Sequence, residues 1–114
     1  MPLLQYSLTR LETEDMHRMD DASNLELELA PLLGEQVIID VKGSYIYLGT
    51  LAKVGREVIV LRDADVHYCG DSQTTTELYA MEAKKNGLRV NRKSVYVVRS
   101  EVLSLARVED IIEY

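Results

Sequence analysis

Val37 to Ala64 reads V-I-I-D-V-K-G-S-Y-I-Y-L-G-T-L-A-K-V-G-R-E-V-I-V-L-R-D-A, and this stretch decides the fold. Val37, Ile39 and Val41 alternate with Ile38 and Asp40. In the next run Tyr45, Tyr47, Gly49 and Leu51 share one face, with Ile46 and Leu48 on the other. Val58, Ile59, Val60 and Leu61 form a third run. β-branched and aromatic residues at period two, bounded by Lys42-Gly43 and Val54-Gly55, are the signature of strands joined by tight hairpins. Both faces of these runs are rather apolar. That pattern suits a strongly bent sheet buried on both sides. Asp63-Ala64-Asp65 is expected to leave the sheet, with residues 66–73 as loop.

Upstream, Ser23 is a candidate N-cap, with Glu26 three residues on completing a capping box. Leu25, Leu29, Leu32 and Leu33 follow at helical spacing, and Gly34 is the natural stop. Pro31 is expected to weaken only the last turn. Laid across the open end of a small barrel, these leucines would cover it; they would equally serve a subunit contact. Downstream, Thr74 and Glu77 make a second capping box, opening a helix from about Thr75 to Asn86 with Leu78, Ala80 and Met81 as its packed residues. Asn86-Gly87 closes it. Ser94 to Arg99 and Glu101 to Ala106 read as the last two strands. Three segments result: an acidic arm over residues 1–22, a folded domain over 23–106 and an acidic tail over 107–114.

The run G-S-Y-I-Y-L-G-T-L followed by an apolar strand and Asp63-Ala64 resembles the first motif of the Sm-like (LSm) domain family. Val95-Tyr96-Val97-Val98-Arg99-Ser100, followed by Val102-Leu103-Ser104-Leu105, is similar to its second motif. A short helix precedes the first strand in that family too. The resemblance spans roughly residues 23 to 106. It implies a mainly β fold: a five-stranded, bent antiparallel Sm-like or SH3-like small barrel with an N-terminal helix. The helix near residues 75–86 is an insert, because most Sm-like proteins have a short loop there. The resemblance also implies a homo-oligomeric ring joined through the last two strands, and single-stranded RNA as a partner.

Within that resemblance Arg99 matches the family's pore-facing Arg, while Ser100 stands where the family has Gly. A planar guanidinium both stacks on a base and bonds phosphate. The alternative for Arg99 is pairing with a nearby carboxylate such as Asp63. The family's first-motif loop carries an Asp, a stacking side chain and an Asn. Here that loop is Gly55-Arg56-Glu57-Val58, without the Asp or the Asn, so Arg56 is the candidate phosphate contact. Lys84, Lys85, Arg89, Arg92 and Lys93 form a basic run without acids, suited to a phosphate backbone or to a solvated helix end. Tyr45, Tyr47, Tyr68, Tyr79 and Tyr96 are stacking candidates or core residues. The candidate RNA-binding set is therefore Arg56, Arg89, Arg92, Lys93, Arg99 and Ser100.

At 114 residues the chain is one small domain with tails, and self-association is a natural supplement to its core. Its net charge of -6 argues against nonspecific nucleic-acid binding. The charge is uneven, however: -6 over residues 1–36, -1 over 37–72, +4 over 73–107 and -3 over 108–114. That basic back half is the electrostatic hint of an anionic partner. No apolar run approaches a membrane span, and the N-terminus lacks the apolar core of a signal peptide. The single Cys69 forms no internal disulfide, and a cytoplasmic location is expected. Neither a metal site nor a cofactor is expected. His67 and Cys69, two apart, would share a face if they lay on a strand and are chemically a base and a nucleophile, but no oxyanion-stabilising motif accompanies them, so no enzyme is expected. Two functions remain open: an RNA-binding or RNA-associated oligomeric scaffold, and a protein-interaction module that kept the fold and lost the nucleotide pocket.

Overall fold

The computed structural model describes residues 24–70 and 73–113. The expected acidic arm and the N-cap at Ser23 lie outside these residues. The chain divides into two units at the Pro31–Leu32 boundary. In the first, residues 24–29 form helix α1, whose end tightens into a 3-10 turn, Ala30–Leu32, that runs across the boundary. Pro31 has no N–H to donate four residues back, so the α-helical ladder stops there. Gly34 then takes φ 85°, the left-handed stop that glycine adopts without a Cβ clash.

The second unit is a five-stranded antiparallel sheet with a second helix. Its strands are β1 (Gln36–Val41), β2 (Tyr45–Val54), β3 (Val58–Tyr68), β4 (Arg92–Val98) and β5 (Val102–Arg107). Helix α2 (Gln73–Asn86) connects β3 to β4. The strand order is β4-β3-β2-β1-β5. The expected mainly β, five-stranded architecture with two helices is thus present, with one difference. β4 and β5 occupy opposite edges with no ladder between them, so the sheet is bent but not closed. Its bend is legible in the core. Val97 of β4 and Val102 and Leu105 of β5 pack on the same cluster, so both edges curl over one face.

That first cluster centres on Val37, Ile39, Leu51, Ile59, Leu61 and Ala64. The second lies on the opposite face: Ile38, Ile46, Leu48 and Cys69 against Ala83 of α2 and Val108. The alternation read from Val37–Asp40 and Tyr45–Leu51 therefore holds, each parity feeding its own cluster. Burying each Leu or Ile contributes about 1.5–3 kcal/mol.

β3 runs on to Tyr68 instead of leaving the sheet at Asp63. Asp63 adopts φ 49° and forms a bulge, where the pairing with β2 slips by one residue and then continues. Helix α2 begins at Gln73, so Thr74 sits inside the first turn and not at the cap. Its packed residues are Tyr79, Ala80 and Ala83, at spacings of one helical face. Leu78 instead points outward, 61% exposed. The tail continues as a 3-10 turn at Val108–Asp110, where the hydrogen bonds from Arg107 hold the Asp110 carboxyl below its ordinary pKa. No helix among the described residues is long and apolar enough to cross a membrane.

Gly49 lies beside the bulge, close against the β3 backbone. A Cβ there would meet Arg62 O at 3.1 Å, Leu61 Cβ at 3.1 Å and Ala64 Cα at 3.2 Å. Two of these three atoms are backbone, which yields little. Gly49→Ala is expected to cost roughly 1–2 kcal/mol in urea denaturation. An unchanged midpoint would show that the bulge absorbs the methyl group.

Candidate nucleic-acid interface

Arg99 follows directly on β4 and opens a 3-10 turn, Arg99–Glu101. The last pair of the β3–β4 ladder, Val58↔Val98, sets it beside the β2–β3 hairpin loop. Its backbone N–H donates to Glu57 O at 2.9 Å. Its guanidinium Nη1 donates to Gly55 O at 3.0 Å and to Arg56 O at 3.3 Å. Among the described residues its Nε and Nη2 donors have no partner. One side chain thus ties together two loops more than forty residues apart in the chain. The pairing with Asp63 offered by the sequence is absent. Asp63 lies five residues along β3 from Val58, roughly 16 Å at strand rise.

The structure places the six candidates in two groups. Arg56, Arg99 and the exposed Ser100 gather at one end of β4. Arg92 and Lys93 begin that strand at the other end, where Arg92 pairs with Ala64. Seven positions separate Arg92 from Arg99, about 23 Å at strand rise. Arg89 lies just upstream of Arg92 and is exposed, its backbone N–H donating to Asp65 Oδ2 at 3.0 Å. Arg92 Nη1 donates to Asn91 O at 3.0 Å. The chain by itself therefore does not bring all six together.

Of the basic run, Lys85 is exposed, whereas Lys84 Nζ donates to Glu109 O and ties α2 to the tail. The tyrosines divide similarly. Tyr45 and Tyr68 are cross-strand partners in edge contact at 5.3 Å, both substantially exposed. Tyr96 is exposed on β4, while Tyr47 and Tyr79 are half-buried against the two clusters.

Two features escaped the sequence reading. Asn91 presents Oδ1 to Val66 N–H at 3.0 Å and Nδ2 to Val66 O at 2.9 Å. Its amide thereby stands in for a strand residue and extends the ladder. Asp65 is 5% exposed, with His67 Nε2 2.6 Å from its Oδ1. Oδ1 has no aligned donor, so this contact is a close approach and not a directed hydrogen bond. The His67 ring stacks on Tyr79 of α2 with centroids 3.9 Å apart. Cys69, meanwhile, is packed among aliphatic side chains. Sequence spacing offered a shared face for His67 and Cys69, but neither Asp65 beside them nor the helix that covers them. Among the described residues no three His, Cys, Asp or Glu side chains assemble as a metal site requires.

No family model matches the chain, and no curated protein matches it. Among solved structures it is similar to the Pyrococcus abyssii Sm protein in complex with a uridine heptamer. That match has 15% identity and a TM-score of 0.45, covering 69% of this chain and 90% of the other. It is also similar to a chain of the NatC complex bound to CoA, at 19% identity and a TM-score of 0.45 over 68% of this chain and 79% of the other. A chain of NatC bound to Gag peptide and CoA matches at 19% identity and 0.45, covering 68% and 86%.

Proposed function

We propose that this chain is an Sm-like assembly unit, without catalytic activity, that binds single-stranded RNA as an oligomer in the cytoplasm. The carrying observation is the junction of Arg99 with the Gly55 and Arg56 carbonyls. It joins the two loops to which the sequence resemblance assigns nucleotide contacts, with guanidinium donors left over for a ligand. The open edges support assembly. β4 and β5 each pair on one side only, so β4 of one copy adding to β5 of the next is a head-to-tail contact that closes into a ring. Tyr96 and Val98 on β4 and Leu103 on β5 are large apolar side chains that such a contact would cover. Ring closure would also gather one Arg99 per copy, concentrating positive charge in a chain of net charge -6.

Sedimentation followed by fluorescence anisotropy with short homopolymer RNAs tests this. We expect an oligomer at micromolar concentration, with binding that weakens steeply with salt. Arg99→Ala should weaken binding about tenfold or more. Arg99→Lys, which keeps the charge but not the planar fork, should recover only part. Lys85→Ala is the control and should change little. Without the family's Asp and Asn, preference for uridine should be slight. An oligomer that binds no RNA at low salt would leave the second reading, a protein-interaction module; the exposed apolar residues on both edge strands favour it.

A further inference from the structure

A cleft of about 700 Å³ opens on the sheet face opposite the first cluster, between β1, β5, α2 and the tail. Its apolar lining includes Ile38, Met81, Leu103 and Ile112, of which Leu103 and Ile112 are 64% and 75% exposed. Among the described residues, the charged ones that line it are Asp40 and Glu77, and no Lys or Arg does. Asp40 Oδ2 accepts a hydrogen bond from Ser104 Oγ at 3.0 Å, which fixes the carboxylate, and among the described residues Oδ1 has no partner. Tyr45 stands at the same cleft, half exposed. The C-terminal segment forming one wall also carries Glu109, Asp110 and Glu113.

From this we infer that the cleft between α2 and the β1–β5 face is a docking site for a peptide segment in which Lys or Arg alternates with apolar residues. Charge complementarity carries the choice. A bare apolar groove would take any aliphatic surface, but this one places two carboxylates, and among the described residues no cation, over an apolar floor. Lys and Arg have the matching build, an apolar stem ending in a charge. The stem lies on Ile38 and Met81, the charge reaches Asp40 or Glu77, and Tyr45 offers a ring face to a cation. Flanking apolar residues of the peptide cover Leu103 and Ile112. The volume falls within the range of sites that enclose a specific ligand. RNA is excluded from this cleft by the sign of its charge. The protein would then have two sites of opposite preference: an anion at the Arg99 junction and a cationic peptide here. The inference does not depend on the RNA reading.

The test uses the full chain and a short fluorescein-labelled peptide alternating Leu with Lys, beside the same peptide with Glu for Lys. Anisotropy should show the Lys peptide binding at least about tenfold tighter than the Glu peptide. Asp40→Asn combined with Glu77→Gln should cost about tenfold in affinity for the Lys peptide. Glu57→Gln combined with Glu82→Gln, which removes equal charge outside the cleft, should cost less than about twofold, as should Arg99→Ala. Cys69, the chain's one cysteine, lines the cleft and reports occupancy. Its alkylation by iodoacetamide should slow when the Lys peptide is bound. Equal binding of both peptides, equal loss in both charge-removing pairs, or unslowed alkylation at saturating peptide would each overturn the proposal. Thermal unfolding of each variant separates loss of binding from loss of fold.

Discussion

Leu61→Ala is expected to lower the unfolding free energy by about 2–5 kcal/mol, toward the upper part of that range. Leu61 is fully buried on β3, laddered to Leu51 on one side and to Val95 on the other. Its neighbours Val37, Ile39, Leu51, Ile59 and Ala64 belong to the same cluster. Truncating the side chain removes its transfer energy and leaves a cavity. The surroundings can collapse into that cavity only so far, because hydrogen-bonded strands flank the site on both sides and β2 already meets β3 at Gly49. Urea denaturation followed by circular dichroism measures the loss. Leu78→Ala, on the exposed side of α2, should shift stability by less than about 0.5 kcal/mol. A Leu61→Ala loss below about 1 kcal/mol would mean that the two edges do not hold the first cluster closed.

Asp65→Ala is expected to cost about 2–3 kcal/mol. The substitution removes the acceptor for Arg89 N–H and the negative partner of His67 at once. Arg89 begins the approach to β4, and His67 stacks on Tyr79, so the loss should loosen both the β4 entry and the docking of α2. Asp65→Asn keeps an acceptor oxygen for Arg89 and should recover more than half of the difference. Amide hydrogen exchange gives a second readout: the Arg89 amide should lose protection in the alanine variant and keep it in the asparagine variant. If both variants behave alike, the carboxylate's charge and not its geometry holds this corner.

The sheet was legible because its signals are local. Val37–Val41 and Tyr45–Leu51 declare their period within a few residues, and Gly34 and Gly43 mark turns that need positive φ. Pro31 foretold the weakened last turn of α1 for the same reason. Other features depend on what lies across space. Leu78 looked like a packed residue by type, yet the face that meets the sheet is set by where β3 ends. That end was misplaced because Asp63-Ala64-Asp65 has the composition of a turn. An aspartate tolerates a left-handed backbone better than most residues, so a bulge and a turn look alike in sequence. At the candidate RNA interface, the residue types were readable and their grouping was not. Arg89, Arg92 and Arg99 are close in the chain, yet β4 carries the first two far from the third. Arg56, distant in sequence, is the one that Arg99 meets.

The bulge at Asp63 has a further consequence. Before it, Ile59 and Leu61 supply the first cluster; after it, Ala64 and Val66 do, so odd positions give way to even ones. Asp65, His67 and Cys69 are thereby turned toward α2. The extra residue works as a phase shift in the strand's alternation. Deleting Asp63 would remove that extra residue: Ala64 would follow Arg62 in plain alternation, and Ala64, Asp65, Val66 and His67 would keep their present faces. The cost would fall on the β4 side, where the unbroken run from Arg62↔Ser94 to Ala64↔Arg92 would lose its match. Deleting a regular residue of β3 with the bulge retained would instead send one arm of the strand to the opposite face. Asp63 is therefore the position of β3 at which losing one residue least disturbs which side chains face the first cluster and which face α2.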